Sequence, residues 1–61
     1  MVYYKIAELA KLKGYSIRRI EAELNFSNGT IGGWKHRNNP PAQKLKRVAD
    51  LLGVTVDELL K

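Results

Sequence analysis

Apolar residues recur three and four positions apart along most of this chain, the spacing of helices with one buried face. Five stretches carry the pattern. In residues 3–13, Ile6 and Leu9 form the stripe, and Tyr3 and Ala10 extend it. Gly14 ends this helix, because glycine takes the left-handed C-terminal position at little cost, and Tyr15 packs over the joint. Residues 16–24 form a second helix, with Ser16 as its cap and Ile17, Ile20 and Leu24 on one face. Asn25 can adopt the left-handed conformation that stops it. Asn25, Phe26 and Ser27 then make a tight corner, and Ser27 opens a third predicted helix, residues 27–37, buried through Ile31 and Trp34.

Asn38, Asn39, Pro40 and Pro41 break the chain. A fourth helix is predicted over residues 41–52, with Pro41 at its first position and Leu45, Val48, Ala49 and Leu52 facing inward. Lys44, Lys46 and Arg47 cover its outer side, and Gly53 ends it. Thr55 followed three residues later by Glu58 is a capping box, opening a fifth helix over residues 55–61. Val56, Leu59 and Leu60 are its expected core residues. There is no repeat, low-complexity tract or alternation of strand type. The expected fold is all-α: one domain, a compact bundle of five short helices.

Size and charge narrow the function. With 61 residues, a domain hides only about 60% of the surface its unfolded chain exposes, so its stability should be marginal. The chain has no cysteine, which excludes disulfides and fits a reducing compartment. It has no run of roughly 18 apolar residues and no basic-then-apolar N-terminus, so a cytoplasmic protein is expected. Eleven lysines and arginines against six acidic residues leave a net charge of +5, which favours polyanions. Nucleic acid comes first among these. An anionic membrane surface comes second, because the apolar faces are needed for the core. No nucleophile–base–acid set, phosphate loop or carboxylate pair stands out, so neither an enzyme nor a small-molecule substrate is expected. His36 is the sole histidine and has no cysteine or acidic cluster beside it, which argues against a metal site; no cofactor is implied.

Residues 16–37 read as two short helices joined by a turn, and the main physical use of that unit is to push its second helix into the DNA major groove. At about 100° per residue, Ile31 and Trp34 share the core side of the third helix, and Gly29, Gly32, Gly33 and His36 share the outer side. Trp34 is therefore a core residue rather than a base stacker. Asn28 and Thr30 lie on the flanks. The Asn28 amide can bond an adenine edge bidentately, and Thr30 can offer a hydroxyl to a base or a methyl to thymine. Each glycine lowers helix stability by roughly 0.8–1 kcal/mol relative to alanine. Two explanations stand: the bare backbone approaches the groove closely, or Ile31 and Trp34 pin the segment from behind and glycine is tolerated. With so few side chains to read bases, preference should lean on DNA shape. Arg18 and Arg19 sit in the first turn of the second helix, where the helix dipole disfavours cations, which points to an external anion. The expected phosphate contacts are Ser16, Arg18, Lys35, His36, Arg37, Gln43 and Lys44.

Taken in order, these pieces resemble the lambda-repressor-like, or XRE-type, helix-turn-helix domain of phage repressors, Cro proteins and small bacterial regulators. The matching residues are Ile6 and Leu9 before Gly14, the Ser16 cap, Ile20, and Phe26 and Ser27 at the turn. Thr30, Ile31 and Trp34 follow, then Asn39 and Pro40. The most specific piece is the ending that runs from Leu45 through Val48, Ala49, Leu52, Gly53 and Val54 to Thr55, Val56, Asp57, Leu59 and Leu60. The resemblance implies a five-helix fold and sequence-specific binding of double-stranded DNA through the helix that starts at Ser27. It implies base-facing positions at Asn28, Gly29 and Gly33, to which the chemistry above adds Thr30. It also implies a transcriptional repressor in a bacterial or phage-infected cell, acting as a weak homodimer through residues 54–61. The runner-up is a protein-interaction module on the same scaffold, such as an antitoxin or a repressor-binding partner.

The chain departs from the family in three places. Ile17 stands where a phosphate-touching glutamine is common. Ala10 and Lys35 replace an arginine–glutamate pair. Glu21 stands where a small alanine is usual. The expectation from these changes is a substitute ion pair between Glu21 and Lys35.

Overall fold

Three helices of this chain stop in the same way. At Gly14, Asn25 and Gly53 the backbone turns left-handed, with φ of 80°, 60° and 73°. In each case the following N–H reaches back to a carbonyl five residues earlier. Tyr15 donates to Ala10 at 2.8 Å, Phe26 to Glu21 at 2.8 Å and Val54 to Ala49 at 3.0 Å. The donors Tyr15, Phe26 and Val54 are apolar or aromatic residues packed against the core, so each helix end is closed by hydrogen bonds and by hydrophobic contact together.

The computed structural model describes residues 2–36 and 40–61. It contains four α-helices and one short 3₁₀ helix. These are α1 (Val2–Lys13), α2 (Ile17–Glu23), the 3₁₀ helix Gly32–Lys35, α3 (Ala42–Leu52) and α4 (Val56–Leu60). No strand occurs among the described residues, and no helix there is long and apolar enough to cross a membrane. Ser16 caps α2 by accepting the Arg19 N–H at 3.0 Å. Thr55 caps α4 by accepting the Glu58 N–H at 3.1 Å, with the Glu58 carboxylate answering at the Thr55 N–H. Pro41 stands one residue before its predicted place: its ψ of 134° is not helical, so it caps α3 instead of opening it.

The fold is all-α as expected, but it has four α-helices rather than five. The predicted third α-helix, residues 27–37, does not form over its described part. Gly29 has φ of +88°, and no right-handed helix passes through that conformation. The Thr30 N–H bonds the Ser27 carbonyl at 3.1 Å, closing a tight turn. Trp34 bonds Ile31 at 2.9 Å and His36 bonds Gly33 at 3.2 Å, the i→i+3 spacing of a 3₁₀ helix. Three glycines in five residues cannot support an α-helix on propensity. The end of the predicted helix at Arg37 lies outside the described residues, as do Asn38 and Asn39.

The core gathers Ile6, Ala10, Ile20, Ile31, Trp34, Leu45, Val48, Ala49, Leu52 and Leu59, joined by Val2 at the N-terminal edge. The helix α1 packs against the 3₁₀ helix, α3 and α4, and so holds the two halves of the chain together. Leu60 corrects a sequence expectation: it is 62% exposed, while Leu59 is buried. Adjacent helical residues point about 100° apart, and with Leu59 turned into the core Leu60 falls on the solvent side of α4.

Candidate nucleic-acid interface

The segment that replaces the third helix is organised by one carboxylate. Glu21 lies on the inner side of α2 next to Ile20 and is only 3% exposed. Its Oε2 accepts the buried Ile31 N–H at 2.7 Å, and its Oε1 accepts the Gly29 N–H at 3.2 Å. Among the described residues no buried side-chain polar atom lacks a partner. Glu21 thus does for the glycine-rich segment what a cap does for a helix, from a different helix.

The expected Glu21–Lys35 ion pair is therefore absent. The Lys35 ammonium lies over the Tyr3 ring instead, 5.2 Å from its centroid. The reason is desolvation. One buried and one partly buried N–H already occupy the carboxylate, and bringing the ammonium to the same site would strip it of water without satisfying them.

Ile31 and Trp34 are buried, at 0% and 4% exposure, and anchor the segment. Asn28, Gly29, Gly33 and His36 are exposed, as expected of an outward side. Thr30 is half-buried, and Gly32 is half-buried rather than on the open face. Gly29 is required by its backbone angle. At Gly32 and Gly33 a side-chain carbon would meet open space, so packing does not demand glycine there. Asn28 shares an open cleft of about 460 Å³ with Arg18, Arg19, Glu21, Ala22 and Phe26.

The cations divide by partner. Lys5 pairs with Glu8 at 4.0 Å, Arg19 with Glu23 at 3.7 Å and Lys46 with Asp50 at 3.6 Å. Arg19 also lies over the Tyr15 ring at 5.1 Å, so partners within the chain meet the need ascribed to an external anion. Arg18 is exposed beside it and has no ion pair among the described residues. Ser16 is exposed. Its oxygen accepts the capping bond, which leaves the hydroxyl hydrogen free to donate. Gln43 and Lys44 are exposed in the first turn of α3. Arg37 lies outside the described residues.

Sequence reasoning missed Arg47. The Phe26 ring carries both the Lys44 ammonium, at 5.6 Å, and the Arg47 guanidinium, at 5.4 Å. The i,i+3 spacing of the two cations was a usable signal. The aromatic beneath them comes from the α2 corner, and only tertiary packing brings it there.

A helix-turn-helix family model matches residues 6–59 of the 61. No curated protein and no solved structure matches the chain. The matched span takes in α2, the Asn25 corner and the Ile31–Trp34 anchor, along with the α3–α4 ending. The chain belongs to the XRE, lambda-repressor-like helix-turn-helix family of DNA-binding regulators.

Proposed function

We propose that the chain binds double-stranded DNA with sequence preference, as a bacterial or phage-type transcriptional repressor that acts by occupying its site. One observation carries this reading. Asn28 and the bare backbone at Gly29 and Gly33 are held outward by Glu21 and by the Ile31–Trp34 anchor, with Arg18 in the same cleft as Asn28. In this reading Asn28 reads a base edge, and Gly29 and Gly33 let the backbone come close. Thr30, being half-buried, contributes at the margin. Ser16, Arg18, Lys35, His36, Arg37, Gln43 and Lys44 supply phosphate contacts. Specific binding uses two copies on half-sites about 34 Å apart, joined through residues 54–61, where Leu60 offers an exposed apolar side chain.

Fluorescence anisotropy on random duplex DNA at two salt concentrations, followed by selection from a randomised pool, tests the reading. Measurable affinity at about 50 mM salt that falls steeply with added salt is expected. Undetectable affinity would overturn it and favour a protein partner. On a selected duplex, Asn28→Ala should cost about 1–3 kcal/mol and relax preference at one base pair. Equal weakening on every sequence would remove Asn28 from base reading.

A further inference from the structure

We infer that Arg47, which shares the Phe26 ring with Lys44, supplies a further phosphate contact and so extends the duplex contact beyond Lys44 along the side of α3. The inference rests on the DNA-binding reading above and specifies which part of the molecule grips the backbone.

Carboxylates neutralise Lys5, Arg19 and Lys46 within their own helices. Lys44 and Arg47 have no such partner among the described residues and share the Phe26 ring instead. The difference matters physically. A carboxylate cancels a cation's charge, whereas an aromatic face attracts it through a quadrupole and leaves the full charge in place. Two like charges held against one ring also repel each other, and an anion nearby relieves that repulsion.

Position supports the same conclusion. Phe26 lines the cleft that also contains Arg18 and Asn28. The ring therefore places Lys44 and Arg47 beside the proposed base-reading corner, where Arg18 also lies. Lys46, on the same helix, is 100° or more from either neighbour at about 100° per residue and is paired with Asp50. It provides a natural internal control.

The test is the salt dependence of binding by the whole chain to a random-sequence duplex of about 20 base pairs, measured by anisotropy between about 50 and 200 mM salt. Arg47→Ala should lower the log–log slope by about 0.9, one lost phosphate contact, and Lys44→Ala/Arg47→Ala by about 1.8. Lys46→Ala should leave the slope unchanged. All three positions are exposed, and the unfolding midpoint of each variant checks that the fold is retained. An unchanged slope in Arg47→Ala overturns the inference. So does a fall for Lys46→Ala as large as that for Arg47→Ala, because net charge alone would then govern affinity. If the wild-type chain fails to bind any duplex, the DNA reading falls and the inference with it. Wild-type binding with an unaltered slope in Arg47→Ala removes only the Arg47 contact.

Discussion

Gly53, Val54 and Thr55 stand beside Asn25, Phe26 and Ser27 as two copies of one local instruction. Each has a left-handed residue, then an apolar residue that packs on the core, then a hydroxyl residue able to cap a helix. After Thr55 the chain enters α4, complete with capping box. After Ser27 it enters a turn and then a 3₁₀ helix. The stop signal works in both places, but the start signal works in only one. A cap satisfies free N–H groups, but the residues behind it must be willing to turn right-handed. Val56, Asp57 and Glu58 are. Gly29 is not: its φ of +88° is left-handed, and the N–H groups of Gly29 and Ile31 are met by Glu21 from across the corner.

This contrast implies that α4 is held by local bonds while the glycine segment is held by tertiary ones, and it can be broken. The largest effect is expected at Trp34. Trp34→Ala should destabilise the domain by about 3–5 kcal/mol in urea unfolding, enough to unfold a chain of this size. A loss below about 1 kcal/mol would mean that the segment is not pinned by its side chains.

Glu21→Ala should cost about 1–3 kcal/mol, because it strands a buried N–H. Thr55→Ala, which removes an exposed cap, should cost about 1 kcal/mol. If Glu21→Ala proves the milder of the two, the carboxylate does not serve as a cap in trans.

The smallest effect sharpens the comparison within the segment. Gly33→Ala enters open space without a positive φ and should raise stability by about 0.4–1 kcal/mol. Gly29→Ala must adopt a left-handed backbone and should lose about 1–2 kcal/mol. Thermal midpoints that move the same way for both would contradict the conformations assigned to them. If Gly33→Ala stabilises the fold and also weakens duplex binding, the bare backbone serves close approach.

Much of the molecule was legible from residue order alone. Ile6 and Ala10 in α1, Ile20 in α2, and Leu45, Val48, Ala49 and Leu52 in α3 are buried where periodicity placed them. Gly14, Asn25 and Gly53 stop helices, and Ser16 and Thr55 cap them. These features depend on neighbours within one or two turns. Glu21 was misread because a glutamate on a short helix carries no mark of what lies eight and ten residues further along. Arg47 was missed because its ring belongs to a different element. Leu60 was misplaced because its periodicity did not reveal how little of a five-residue helix can face the core.

Composition and spacing settled the all-helical character, the helix ends, the apolar anchors and the cationic balance, since each follows from short-range sterics or from counting charges. Three-dimensional packing alone chose which carboxylate meets which amide and which cation rests on which ring. Those choices join residues distant along the chain, and they depend on competition for a few desolvated positions that no local pattern encodes.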